Sequence, residues 1–569
     1  MPQARTRLPM SNSRVRVGYA TTHPTHGTRP LRVSPCGGGG FFNCKQPLAL
    51  TRFSGIAPKQ TDYNLQASFA AIAEDVNLAR GSLQAWHQPL KIADATGQAL
   101  YMAGCCPITG DCHARFARTG LDCDAIIVAT GVTDRPVFTT TCPPAWEPLG
   151  FPCNMAAPAV AAQTTGEDFS LELRAYTYTV VNRMGWESAP SLPSPWLRCN
   201  SVAPVTVSGF DVPPHATAIR IYRAQSPLDF GTEALENDDA VFLLVGEVPA
   251  STAAFTDTVK VAGDACATET FDPPPDDLRE LASLGDRLCG LSGDSFLMSE
   301  RSAPHAWNRK YRVSCYDTPR ALVAAPGIAY VLTDGRPQPL AIRGDCEDGV
   351  AIEPLDVYQS LPVVSRRSAA VHGAACVYAS RHGLVLLQGN NAVIISRDFY
   401  TPEQWQALRP HEMVGAVCDG VYYGATSTAC IRFDLPDDTF TAPDDTALTT
   451  LSLRPQAWHT GENGRLYYSD AAGVWLWDGG TEKMPYRWRG KVQYAAGNTR
   501  FAAFRLMTDG TVAVSHYSEH GKIATNTAGL QPTRLPVGRH GMEWQVEITG
   551  EHEVSAYFLA TSVRDLTHD

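Results

Sequence analysis

Cys105, Cys106, Cys112 and His113, with Cys123 beyond, bring soft metal ligands close together along the chain. Such a set could hold zinc, which takes thiolate and imidazole donors in tetrahedral array. Zinc knuckles of this size use paired C-x-x-C turns. Here the first two cysteines are adjacent, so their side chains leave a strand on opposite faces. The stretch therefore reads as strand–turn–strand with incidental thiols. A disulfide from Cys105 or Cys106 to Cys112 is the alternative if the chain later meets oxidising surroundings. Acid–base chemistry would need two carboxylates held across a cleft. The acidic runs Glu236-Asn-Asp-Asp239 and Asp276-Asp277 read instead as solvated loop faces. The 15 histidines show no H-E-x-x-H spacing. No G-x-S-x-G elbow and no phosphate-cradling Gly-rich loop is present: Gly37 to Gly40 run into Phe-Phe-Asn-Cys rather than Lys-Ser or Lys-Thr. No catalytic, cofactor-binding or metal-ligating residue is assigned, and no cofactor is expected.

Two further sets remain. Ser469-Asp-Ala-Ala-Gly-Val-Trp475 resembles the Asp-box turn of sialidase-type propellers, but the aspartate is displaced and no second box follows. It reads as a hairpin turn. Trp186, Trp196, Trp307, Trp405 and Trp458 could stack on sugar or on a partner if exposed; the plainer reading is core anchors.

These residues must be positioned by a large body. The chain has 569 residues, a hydrophobic content of 44% and a charged content of 18%, a foldable composition with room for several domains. Its net charge of −11 argues against a surface that grips nucleic acid along its whole length, since phosphate contact draws on Lys and Arg. The 16 cysteines follow no repeating frame, so they read as mostly reduced, small apolar core residues of a protein made in a cytosol. No apolar run is long enough to span a membrane, and residues 1–30 show no signal-peptide core.

The expected fold class is mainly β: a propeller-like multi-sheet body with an inserted fibronectin III-like β-sandwich and a C-terminal β domain. Residues 1–50 form a basic, Pro-interrupted arm. Residues 51–167 open the β body and include one short helix over 65–83, where Phe69, Ile72, Ala73, Val76 and Leu83 recur at spacings of three and four. Residues 168–270 form the inserted sandwich, announced by alternation in Ser170–Val181, Ala218–Arg223 and Val241–Val248. Residues 271–485 repeat short multi-strand units, among them Leu288–Ser299, Ala324–Ile342, Ala374–Ile395 and Gly464–Asp478, the rhythm of a propeller-like body. Residues 486–569 form the C-terminal domain. Two apolar runs, Asp124–Ala129 and Gly383–Leu387, read as buried strands.

An ordered series of short stretches carries a family resemblance. Near the start are Phe53-Ser-Gly-Ile-Ala-Pro58, Leu65-Gln-Ala67 and Ala73 to Leu83. In the middle are Ser299 to Trp307, Val331 to Gly335, Pro339 to Gly344, Arg367-Ser368, Val377 to Ser380, Gly383 to Val385, Trp405 to Pro410 and Gly420 to Gly424. Toward the end are Trp488 to Lys491, Arg534 to Gly538, Trp544 to Gly550 and Val554 to Ala560. In this order, over residues 53 to 566 without the sandwich, the chain resembles virion proteins of short-tailed bacteriophages of the tail nozzle or head–tail DNA-stabilisation type. The resemblance implies a structural protein without catalytic residues. It implies a homo-oligomeric ring, often hexameric, in the virion tail, assembled in the host cytoplasm. Such a ring contacts the head–tail adaptor and tail fibres and lets phage DNA pass without sequence-specific binding. Two other readings stay open: a receptor-binding fibre or spike that grips a host glycan, and a propeller-type enzyme that degrades polysaccharide.

Overall fold

The computed structural model describes residues 47–119, 126–152, 155–162, 171–227, 241–344, 349–436 and 448–567. The basic arm lies almost wholly outside them, as do the Glu236–Asp239 cluster and Cys123. Among the described residues the fold is strand after strand, joined by turns, with one six-residue α-helix at Pro402–Ala407. That helix is closed by a capping box between Thr401 and Gln404, and its buried Trp405 donates from Nε1 to the Ser380 carbonyl at 2.9 Å.

Antiparallel sheets follow one another along the chain. Four-stranded sheets are built from Arg115–Thr119 to Glu147–Pro148, from Pro319–Ala325 to Ala351–Pro354, and from Ala370–His372 to Asn391–Ile394. A sheet beginning at Arg279–Leu284 has five strands. A further sheet is made of Ala457–Thr460, Leu466–Asp470 and Gly473–Leu476, and its fourth strand, Leu90–Ala93, comes from far earlier in the chain. The first strands of successive sheets touch in turn: Arg115–Thr119 with Arg279–Leu284, then Pro319–Ala325, Ala370–His372, Val414–Cys418, Ala457–Thr460 and the hairpin strand Ala99–Ala103. The Tyr101 and Phe116 rings, 6.2 Å apart, bring the last of these back to the first. Alternation explains the strands. In Ala375–Ser380 and Gly383–Gln388 one set of residues packs toward each neighbouring sheet, so both faces are apolar.

In chain order, two sheets fall between the Arg115 and Arg279 sheets. One has three strands, Ala159–Ala162, Val205–Ser208 and Ala254–Asp257; the other has four, with Leu171–Asn182 paired along its length to Ala216–Pro227. The seven strands reach back to Ala159, beyond the boundary at 168 read from sequence. Their core is continuous with that of the neighbouring sheets: Trp186 stacks on His305 at 5.1 Å and packs on Phe138 at 4.7 Å.

The helix expected over 65–83 is absent. Ala70–Glu74 and Val76–Asn77 are strands. Ala70–Glu74 pairs antiparallel with Tyr486–Gly490, with a bulge between Ala70 and Ile72, and Asp75 then takes a left-handed φ of 53°. The bulge and the kink shift the buried positions to Ala70, Ala73 and Val76, a spacing of three that mimics a helical face. The same pairing merges the C-terminal strands with the Val414–Leu451 sheet into one ten-stranded sheet. A second sheet, containing Leu48–Leu50 and Val554–Ala560, packs over it around Trp488, Phe504, Trp544 and Tyr557.

Candidate functional site

The first strands converge on one cavity of about 260 Å³. Its wall takes Leu100, Phe116, Glu280, Leu322, Ala369, Val414 and Ala457, one from each converging segment. The charged side chains in the wall are Arg115, Arg366, Arg367 and Glu280. Glu280 is 2% exposed and holds a left-handed φ of 54°. Its Oε2 accepts from Arg115 Nε at 3.0 Å and its Oε1 accepts from Arg366 Nη1 at 3.1 Å. Three segments far apart in sequence are thereby tied by one carboxylate. Arg366 Nη2 also donates to the Cys112 carbonyl at 2.6 Å. Arg367 donates to the carbonyls of Gln98 and Gln456. Burial, then the charges of Arg115 and Arg366, hold the Arg367 guanidinium down to about 10. His459, whose ring lies 4.8 Å from that of Tyr101, is pushed down to about 4 by burial, so it is neutral at ordinary pH. Burial pushes Tyr101 up to about 12.

Chemically, the cavity offers hydrogen-bond donors and positive charge. Its single carboxylate is engaged on both oxygens, so the wall does not supply the two separated carboxylates that glycoside hydrolysis uses.

The soft-ligand cluster is dispersed. Cys106 is bonded to Cys142, with Cα atoms 6.3 Å apart, and not to Cys112; Cys105 is exposed and Cys112 half-buried. The sequence could not reveal Cys142 as the partner, because the two approach only when the Ala99–Gly110 hairpin packs against the next sheet. His113 Nδ1 lies 3.2 Å from Arg366 Nη2. Among the described residues no group of three His, Cys, Asp or Glu converges on a metal-sized site. Cys199, Cys266, Cys289, Cys376, Cys418 and Cys430 are buried free thiols. Asp276 faces Arg135, while Asp277 accepts from Ser292 Oγ at 2.5 Å and from the Gly293 amide at 2.8 Å. Asp470 sits in the expected hairpin turn: its Oδ1 accepts from the amides of Ala472 and Gly473 and from Trp475 Nε1. Trp186, Trp307, Trp405 and Trp458 are buried, and Trp196 is half-buried. Sequence reading missed Arg115, Glu280 and Arg366, because two arginines and a glutamate from distant segments carry no local spacing signal.

No family model and no curated protein matches the chain. Solved structures give weak matches. The AfRom2 CNH domain is 8% identical, with 68% of this chain and 98% of that one covered at a TM-score of 0.24. Apo AztD from Citrobacter koseri is 12% identical, with 67% and 100% covered at 0.21. Human WBSCR16 is 8% identical, with 50% and 96% covered at 0.21. Likenesses this slight bear on neither fold detail nor function.

Proposed function

We propose that the chain is a structural component of a short-tailed phage tail, of the nozzle type, acting as one subunit of a ring that continues the DNA channel below portal and adaptor. In this reading the converging sheets form a propeller-like body, and the two sheets over 159–257 are a fibronectin III-like module that adds contacts. Subunits of a ring need rigid bodies with complementary edges and no reactive centre.

The observation that carries the reading is the outer edge of the ten-stranded sheet. Among the described residues the strand Gly521–Ala528 ends that sheet, pairs on one side only with Val512–Ser518, and is eight residues long. A strand of that length at an edge is normally covered or paired by a neighbouring chain. The glycan-gripping alternative loses support from the burial of four of its five tryptophans. The polysaccharide-degrading alternative loses support from the lone, engaged carboxylate of the cavity.

Electron microscopy and native mass spectrometry of the purified full chain test the reading. The expected result is a closed ring whose assembly is lost in Thr525→Pro, which removes an edge amide and fixes φ. A chain that stays monomeric at every concentration would overturn it.

A further inference from the structure

We propose that the central cavity binds a small dianionic oxoanion of the phosphate class. The wall carries three guanidinium groups and one carboxylate. Glu280 compensates one positive charge, which leaves an excess of two. The neighbouring pair of Arg118 with Glu462 is neutral and does not change this balance. An excess of two stands out in a chain whose net charge is −11.

The donors are in place and incompletely used. Arg115 Nη2 is buried and has no hydrogen-bond partner. Among the described residues no carboxylate pairs with Arg367, whose guanidinium reaches only carbonyl oxygens. Guanidinium groups recognise oxoanions through paired N–H donors, and a desolvated site strengthens that contact. The cavity, about 260 Å³, is several times the share of one liquid water, ~30 Å³, so it has room for a tetrahedral ion. A cation would meet net repulsion there, and an apolar ligand would leave the donors unsatisfied.

The test is titration of the full-length protein, dialysed into chloride buffer, with inorganic phosphate and separately with sulfate at constant ionic strength. Isothermal calorimetry and phosphorus NMR line width provide the readouts. The expected result is one saturable site per chain for both ions, with chloride ineffective. Arg367→Gln should weaken binding at least tenfold while leaving the Glu280 ion pairs intact. Should that variant fail to fold, competition of sulfate against bound phosphate in the wild-type protein decides: displacement supports the site. Absence of saturation, an equal response to chloride, or an Arg367→Gln protein that binds as the wild type does would each overturn it. None of these outcomes depends on ring assembly.

Discussion

Arg223 donates from Nη1 to Asp257 Oδ2 at 2.8 Å, with both side chains all but sealed from solvent. The same carboxylate oxygen accepts from the Tyr176 hydroxyl at 2.8 Å, and Oδ1 accepts from the Val259 amide at 2.9 Å. Asp257 ends the last strand of the three-stranded sheet, while Tyr176 and Arg223 belong to the four-stranded one. The pair therefore bolts the two layers of the inserted unit together. Removing one partner of a buried pair leaves an uncompensated charge, which costs about 3–5 kcal/mol. Asp257→Ala should lose that much in denaturant unfolding. Tyr176→Phe, which removes one hydrogen bond and no charge, should lose only about 1–3 kcal/mol. Equal losses would contradict the bolt.

Acid should loosen the fold through its buried imidazoles, His305 and His516 as well as His459. Burial pushes His305, stacked on Trp186, down to about 4 from 6.5. Burial likewise pushes His516 down to about 3, and its Nε2 lies 2.8 Å from the Tyr557 hydroxyl. The unfolded chain takes up these protons near 6.5, whereas the folded chain resists them. The stability from neutral imidazole is thus full above about pH 6.5 and falls as pH drops toward the folded values. At about pH 5 each ring should have cost roughly 2 kcal/mol. The check is the difference in unfolding free energy between about pH 7.5 and pH 5, for wild type against His516→Gln. The variant should show the shallower decline; an unchanged slope would remove His516 from the account.

Much of this architecture was legible, and the failures have identifiable causes. Alternation marked Leu171–Asn182 and Ala216–Pro227, and continuous apolar runs marked Ile126–Thr130 and Gly383–Gln388 as buried strands. Ala70 to Val76 misled, because a bulge and a left-handed Asp75 turn a period of two into an apparent period of three. Leu90–Ala93 completing the sheet of Gly473–Leu476 was invisible, since such pairing is set by how the whole body closes and not by local residue choice. The charged cavity was missed for the same reason.

The Cys106–Cys142 bond ties the Ala99–Gly110 hairpin to the sheet of Val137–Thr139. It closes a loop with a sequence separation of 36, and in the chain-entropy model a crosslink of that kind contributes about 2–4 kcal/mol. Protein oxidised after purification should lose that much on reduction, and Cys142→Ser should show the same loss and no further response to reductant. Peptide mapping without reduction should recover the 106–142 pair; recovery of 106–112 would refute the pairing.

Glu280 joins the Arg115 and Arg366 segments from a strained backbone position. Glu280→Gln keeps the shape and removes the charge, leaving two guanidinium groups facing each other. A loss of about 3–5 kcal/mol is expected, with the unfolding midpoint lowered and the denaturant slope unchanged. Arg115→Ala made in the Glu280→Gln background should then cost less than Arg115→Ala does in the wild type, because the repulsion it removes offsets the contact it loses. Strict additivity in that double-mutant cycle would show that the three residues do not act together.

An early segment and a late strand of the chain meet at Phe53 and Trp488. Their rings stand edge to face at 4.9 Å, and Trp488 Nε1 donates to the Ser54 carbonyl at 3.1 Å. Further along, Leu83 and Val554 exchange backbone hydrogen bonds at 2.9 and 3.0 Å. Gly55 makes the close approach possible. Its amide neighbour Ile56 donates to the Leu448 carbonyl at 2.7 Å, and a Cβ on Gly55 would collide with that same carbonyl and its backbone. Backbone cannot swing aside as a flexible side chain can, so Gly55→Ala should cost at least the roughly 1–3 kcal/mol typical of overpacking. Because the collision lies where the Phe53 segment crosses the Val414–Leu451 sheet, hydrogen exchange should rise first at Leu448–Leu451 and Ala70–Glu74, not in the inserted unit. Uniform acceleration across the chain would instead mean that the segment folds and unfolds with the whole body, and that its seating on Trp488 has no separate energetic identity.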